Sequence, residues 1–254
     1  MNTQMIRNKS VGLQPAFCME SLQGSRERQE DYGISRQTAD RTIAVVCDGM
    51  GGMREGNTAS RFAAEQMLAA LEQAELTEHM HVFWKKEMER LDDAVYGLRY
   101  ADGARMRAGT TMVAVVLQGN KLHWFSIGDS KLFYMRKHKL HCVTREHNYA
   151  LLAEKISGES GEVYVDPKAE QLISYLGMGT AALFDGSDKS FETERGDKLL
   201  LCTDGLYRTV PQEEIAEILD STKEVEVISN KLRGAVLAKK YSNQDNATWV
   251  VMGR

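Results

Sequence analysis

Four aspartates share one local context. Asp48 follows the apolar run Thr42–Cys47 (TIAVVC) and precedes Gly49; Asp129 follows HWFSIG and precedes Ser130; Asp204 follows LLLCT and precedes Gly205; Asp245 stands just before ATWVV. A carboxylate at the end of a buried strand is costly unless its charge is compensated. Any one of them could be a turn former, because Asp-Gly is a common turn signal. Four, joined by Glu30-Asp31 after a strongly charged stretch, are harder to explain as turns. If the sheets gather them, the negative charges call for cations, and an all-oxygen donor set selects hard divalent ions such as Mg²⁺ or Mn²⁺. Gly49 would let a backbone carbonyl approach such an ion closely. Arg26 supplies the other group such a site would want, since a guanidinium beside a carboxylate–cation cluster grips phosphate bidentately. Taken alone, Arg26-Glu27-Arg28 reads first as a solvated loop.

The elements that must position these residues follow from hydrophobic period. Thr42–Cys47 is a buried strand ending in the glycine-rich turn Asp48-Gly49-Met50-Gly51-Gly52. A helix follows, with Thr58 as its expected N-cap and Ala59, Phe62, Ala63, Met67, Ala70 and Leu71 at helical spacing. From about Glu78 a second helix carries Met80, Trp84, Met88, Leu91, Val95 and Leu98 as one apolar stripe, which reads as a core face. From Gly109 the period changes to strands. Thr111–Gln118 and Lys121–Ile127 flank the hairpin signal Gly119-Asn120, and Lys131–Arg136 and Lys139–Val143 continue the meander. Glu146–Ile156 reads as a short helix and Ser157–Pro167 as an exposed loop. Phe191–Glu194, Lys198–Thr203 and Ala247–Met252 read as strands, and Glu213–Leu219 and Glu224–Lys239 as helices. The order is α+β, with consecutive antiparallel strands between helical segments and no regular βαβ alternation.

Composition narrows the function classes. The chain has 254 residues, 43% hydrophobic and 27% charged, with three prolines, which excludes a largely disordered or collagenous chain. A net charge of −4 provides no basic field, so nucleic acid is a poor partner. No apolar run approaches the roughly 20 residues needed to span a bilayer, and Met1–Gly12 lacks the apolar core of a signal peptide. Cys18, Cys47, Cys142 and Cys202 form no CxxC pair and read as free, buried thiols of a reducing cytoplasm. The histidines do not cluster with them at zinc spacing. Cys202 and Arg208 stand at C-x5-R spacing, but Cys202 closes an apolar run expected to be a core strand, where a reactive thiolate is disfavoured.

In this order, these residues resemble the metal-dependent serine/threonine protein phosphatases (the PPM family, type 2C). The family's R-x-x-N-E-D element is matched by Arg26-Glu27-Arg28-Gln29-Glu30-Asp31 and its D-G-x-G-G element by Asp48–Gly52, with Gly56 and Ala59-Ser60 following. The G-T-T, G-D-S, S/T-D-G-L and D-N elements are matched by Gly109-Thr110-Thr111, Gly128-Asp129-Ser130, Thr203-Asp204-Gly205-Leu206 and Asp245-Asn246. Each element is weak alone; six in order over about 220 residues, within Gly24–Met252, are specific. The resemblance implies one domain over 1–254 with a central antiparallel β-sandwich flanked by helices on both sides, a four-layer αββα arrangement. It implies two Mn²⁺ or Mg²⁺ ions, with Asp48 bridging them, the Gly49 carbonyl serving the first and Asp204 and Asp245 the second. Glu30 would act through water, Asp31 would orient the nucleophile and Arg26 would hold phosphate. Asp129, with Asp204, matches the carboxylates that hold a weak third ion in bacterial members. The implied activity is hydrolysis of phosphoserine and phosphothreonine in cytoplasmic proteins that a serine/threonine kinase modifies, with no nucleic acid or membrane partner.

Three departures qualify the match. Gln29 replaces the usual asparagine and is expected to orient its loop. Met50 stands where many eukaryotic members carry histidine, so the leaving-group acid is vacant or moved, as in the bacterial branch. Thr144-Arg145-Glu146-His147 resembles a T-x-D-H stretch with Glu for Asp, and the flap over about Asn148–Leu176 matches only at Tyr175-Leu176-Gly177. Two other readings use the same residues: a phosphatase of small phosphorylated metabolites, and an inactive phosphoprotein-binding scaffold. The presence of Asp48, Asp204 and Asp245 argues against the scaffold.

Overall fold

Strand-forming segments dominate the chain, and they assemble into two stacked antiparallel sheets. The computed structural model describes residues 3–8, 15–51, 55–160 and 168–254. In chain order the strands are β1 (Thr3–Asn8), β2 (Ala16–Leu22), β3 (Tyr32–Gln37), β4 (Arg41–Cys47), β5 (Gly49–Gly51), β6 (Ala108–Thr110), β7 (Met112–Gln118), β8 (Lys121–Ile127), β9 (Lys131–Arg136), β10 (Lys139–Cys142), β11 (Asp185–Gly186), β12 (Phe191–Glu192), β13 (Lys198–Cys202) and β14 (Ala247–Gly253). The helices are α1 (Glu55–Gln73), α2 (Met80–Tyr96), α3 (Tyr149–Ser160), α4 (Asp204–Tyr207), α5 (Gln212–Asp220) and α6 (Val225–Lys239).

One sheet runs β1-β2-β14-β13-β9-β10 and the other β11-β8-β7-β4-β3, with β12 also on β8; β5 and β6 form a small ribbon. Alternation along each strand sends one set of side chains between the sheets and the other towards helices. Phe17, Met19, Leu199, Leu201, Val250 and Met252 meet Ala44, Val46, Val113, Val115 and Leu117 between the sheets. Ile43, Val45 and Cys47 face α1 and α2, against Met67, Leu71, Trp84 and Leu91. Cys18, Leu200, Trp249 and Val251 face α5 and α6, against Ile215, Leu219, Ile228 and Leu232. The result is the expected αββα sandwich. Among the described residues no helix is long and apolar enough to cross a membrane.

Most expected elements form, with shifted ends. The stripe on α2 is core from Met80 to Val95, with Leu98 packed against it, and the hairpin turns at Gly119, where φ is +62°. The start of α1 differs from expectation: it begins at Glu55, and Thr58 lies inside it. Its first turn is pressed against the site loops, where a Cβ on Gly56 would lie 2.8 Å from Glu30 Oε1 and 2.9 Å from the Gly49 carbonyl. Similarly α3 begins at Tyr149, because Glu146 pairs with Lys131 (2.7 Å) and His147 accepts a hydrogen bond at Nδ1 from the Gly128 amide (3.1 Å). It reaches Ser160, into the expected loop; the rest of that loop, 161–167, and Gly52 of the glycine-rich turn lie outside the described residues.

Candidate active site

Strand register delivers the acidic residues to one rim of the sandwich. Tyr32 pairs with Cys47, so Asp31 and Asp48 stand one position beyond the same ladder. Cys202 pairs with Lys131, which sets Thr203-Asp204 beside Asp129-Ser130. Ala247 pairs with Leu22, which sets Asp245-Asn246 beside Gln23-Gly24. The sandwich brings these three ladder ends together, so the Asp48 carboxyl lies in the field of Asp31, Asp204, Asp129 and Asp245.

The electrostatic consequence is large. Burial first, and then those four neighbours, hold the Asp48 carboxyl well above the usual carboxylate range. Asp31, only 3% exposed, is pushed up to about 8 by burial and by Asp204 and Asp245, against the hydrogen bonds that Thr203 and Thr248 give it. Asp129 rises to about 6, through burial and Asp204. Asp204 is also raised by burial, which outweighs the nearby Arg208. Burial raises Glu30, with Arg26 and Arg28 opposing it.

Short polar residues at the strand ends fix the carboxylates. The Asp48 carbonyl accepts from the Thr111 amide (2.9 Å) and the Thr110 hydroxyl (2.8 Å), and the Asp48 amide donates to Thr111 Oγ1 (3.1 Å). Thr111 Oγ1 in turn shares a proton with Ser130 (2.7 Å), tying the Asp48 loop to the Asp129 loop. The Thr203 hydroxyl donates to Asp31 Oδ2 at 2.8 Å. Gln29 does orient its loop: it donates to Ser21 Oγ (2.7 Å) and the Leu22 carbonyl (3.0 Å) and accepts from the Asp31 amide (3.0 Å). Asn246 clamps the same loop, accepting from the Glu30 amide (2.8 Å) and donating to the carbonyls of Gln23 (2.8 Å) and Arg28 (2.9 Å). Asn246→Ala is therefore expected to cost about 1–3 kcal/mol, from the partners left unsatisfied, and to raise KM for phosphomonoesters. Thermal unfolding and steady-state kinetics check both; an unchanged KM would detach the clamp from the site.

Two guanidiniums sit on the rim. Arg26 Nη2 donates to Asp245 Oδ2 at 2.6 Å and lies in the field of Asp204 and Asp48, so it is not a remote solvated loop residue. Arg208 Nε lies 3.0 Å from Asp204 Oδ2. Among the described residues no group of three carboxylate, histidine or cysteine side chains is arranged to hold a cation as it stands. The donor chemistry nevertheless fits hard divalent ions: every candidate donor is an oxygen, and the buried carboxylates are held together against their own repulsion. Gly49 provides a cradle that a Cβ would fill, since one there would lie 2.2 Å from the Gly56 carbonyl and 2.4 Å from the Glu30 carbonyl.

A protein phosphatase 2C family profile matches residues 21–240. The chain belongs to the protein phosphatase 2C family. Its relatives include the serine/threonine phosphatase Stp of Listeria monocytogenes, 29% identical over 237 residues that cover 90% of this chain and 91% of Stp. The protein phosphatase PhpP of Streptococcus pneumoniae is 29% identical over 72% of this chain and 74% of PhpP. The fold is shared with the serine/threonine phosphatase of S. agalactiae, at a TM-score of 0.77, 20% identity and 99% coverage of both chains. It is shared too with the catalytic domain of the serine/threonine phosphatase PstP in complex with two manganese ions, at a TM-score of 0.69 and 24% identity, covering 99% of this chain and 97% of that one.

Within this phosphatase 2C chain, Met50 sits on β5, paired with Gly109 on β6, and has no proton to give. The end of the flap is anchored from two sides. Leu176 exchanges both backbone hydrogen bonds with Thr110 (2.9 Å each), and the buried Asp92 of α2 accepts from the amides of Gly177 (2.7 Å), Gly179 (3.2 Å) and Ala181 (2.8 Å). Residues without an assigned role in the sequence reading, Asn246, Thr203, Thr110, Thr111 and Asp92, thus hold the phosphatase site in shape. All but Asp92 lie within the matched motifs, so the motifs themselves were the available signal. The thiols divide as well: Cys18, Cys47 and Cys202 are buried, whereas Cys142 is exposed on β10, against expectation, because β10 is the outer strand of its sheet. Burial pushes all four thiols up, so it is exposure that sets Cys142 apart. Iodoacetamide on the native phosphatase should accordingly alkylate Cys142 alone and leave turnover intact. Mass spectrometry with a parallel assay tests this; rapid inactivation blocked by phosphate would point to cysteine chemistry.

Proposed function

We propose that the chain acts as a single domain that hydrolyses phosphoserine and phosphothreonine in proteins, using two divalent cations, Mn²⁺ or Mg²⁺, in the cytoplasm. The observation that carries this reading is the gathering of Asp48, Asp31, Asp204, Asp129 and Asp245 from both sheets at one rim, with Arg26 beside them. Asp48, the Gly49 carbonyl, Asp204 and Asp245 would hold the cations. When bound there, such ions supply activation of water near neutral pH and neutralisation of phosphoryl charge. The chain's own residues do the rest. Arg26, on the exposed side of the cluster, binds the phosphoryl oxygens, exchanging its bond to Asp245 for bonds to substrate. Asp31, fixed by Thr203, and Glu30, fixed through its amide by Asn246, orient the water that attacks phosphorus. The substrates are phosphoproteins made by a serine/threonine kinase.

The deciding experiment is phosphate release from a phosphothreonine peptide, p-nitrophenyl phosphate and a set of phosphorylated metabolites, with and without Mn²⁺. Manganese-dependent turnover of the peptide supports the proposal. Turnover confined to the metabolites would sink the protein substrate, and no turnover of any would sink the enzyme reading. Arg26→Ala should raise KM for phosphomonoesters more than tenfold, the scale of a lost charge-assisted bond worth about 1.5–3 kcal/mol, and weaken inhibition by inorganic phosphate to match. Constants within a factor of about two would remove Arg26 from phosphate binding.

A further inference from the structure

We propose that Arg208 supplies, from within the chain, the positive charge between Asp129 and Asp204 that a weakly held third divalent cation would otherwise carry. Arg208 closes α4 one turn beyond Asp204, so an i,i+4 contact returns its guanidinium to the site rim. Nε lies 3.0 Å from Asp204 Oδ2, Nη2 lies 3.5 Å from Asp129 Oδ2, and Nη1 lies 3.0 Å from Glu170 Oε2, in the segment between α3 and β11. One planar fork therefore addresses three carboxylates. The Asp129 side of this arrangement is braced separately. The Tyr207 hydroxyl donates to the Asp129 carbonyl at 3.1 Å, and the Lys131 ammonium lies 3.8 Å from the centre of the Tyr207 ring.

The competition between guanidinium and cation is unequal. An ion with only two protein carboxylates would keep most of its water and bind loosely. Arg208 is tethered to one of those carboxylates by a single helical turn, and a short tether is equivalent to a local concentration in the millimolar range or above. It also stays charged at any working pH. The functional consequence is that Asp129 and Asp204 remain fixed whatever the concentration of free metal. A guanidinium holds its protons too tightly to act as a general acid near neutral pH, so Arg208 is a positioning residue and the leaving-group acid lies elsewhere. This inference rests on the two-ion reading above, in which Asp204 would help to hold the cations.

Counting bound Mn²⁺ by equilibrium dialysis and electron paramagnetic resonance separates the possibilities, with the full chain as wild type, Arg208→Ala, Arg208→Lys, Asp129→Asn and the double variant Arg208→Ala with Asp129→Asn. The wild type should bind two equivalents and Arg208→Lys should match it. Arg208→Ala should gain one weak equivalent, and the double variant should lose it again. Arg208→Gln, closer in shape and still uncharged, repeats the count if alanine impairs folding. A third equivalent in the wild type that disappears in Asp129→Asn would overturn the proposal. So would a count that stays at two in both Arg208→Ala and Arg208→Gln. Failure of the wild type to bind any Mn²⁺ would overturn the two-ion reading, and this inference with it.

Discussion

Asp48→Asn should reduce manganese-dependent phosphate release by about 10²–10³-fold, the scale on which loss of a preorganised electrostatic group is felt, while raising the melting temperature of the metal-free protein. Both follow from one fact: the Asp48 carboxyl is buried in the field of Asp31, Asp204, Asp129 and Asp245. The amide keeps the side chain's shape and is neutral without a proton, so it removes the cost of neutralising a buried carboxyl in that field. It also removes an anionic donor proposed to hold the cations. Asp204→Asn should cost as much activity but stabilise less, because Arg208 then loses its 3.0 Å partner. Steady-state rates with thermal unfolding in chelator separate the two effects. Near-normal rates in both variants would defeat the two-ion site, and a lower metal-free melting temperature for Asp48→Asn would defeat the repulsion argument.

The second large effect is on stability against pH. In the folded chain Asp31 titrates at about 8, whereas an unfolded aspartate titrates near 4. The folded state therefore holds the extra proton throughout that interval, and metal-free stability must fall as pH rises through it, by at most about 1.4 kcal/mol per pH unit for each such proton. Asp129, raised to about 6, adds to the slope at the lower end of the interval. Mn²⁺ should reverse the trend, since ligand carboxylates bind it deprotonated. The gain in melting temperature on adding Mn²⁺ should accordingly be larger at pH 8 than at pH 6. Melting curves from pH 5 to 8.5, in chelator and in Mn²⁺, give the test. A flat metal-free profile, unchanged in Asp31→Asn, would show that Asp31 is ionised in the folded chain.

Legibility in the sequence divided along physical lines. The meander β7–β10, the core stripe of α2 and the strand–Asp–Gly corners after β4 and β13 were readable, because local period and turn chemistry specify them. β2 was not read as a strand: it carries Glu20 and Ser21 inside its run, and both are buried and hydrogen-bonded, to Ser229 (3.0 Å) and Thr248 (2.8 Å). β3 escaped because an edge strand can carry polar residues such as Ser35, Arg36 and Gln37. The rim carboxylates are legible as a set through their shared place at strand ends and through motif order; what sets them side by side is register between strands far apart in the chain. Arg208 carries no local signal, because its meaning depends on Asp129, which is distant in sequence and 3.5 Å away in space.

The position of β14 has a further consequence for how such a molecule comes into being. It lies between β2 and β13, as an inner strand of its sheet, although it is the last strand in chain order. Its partner Leu22 on β2 lies far from Ala247 in sequence, so this pairing carries a high contact order and cannot form until β14 itself has been synthesised. Until then β2 and β13 have an open slot between them, Asn246 cannot clamp the Arg26–Asp31 loop, and Arg26 lacks Asp245. A chain emerging from the ribosome thus has no early stage at which its phosphatase chemistry could be switched on. A product released short of β14 would lack both that clamp and the Arg26–Asp245 pair.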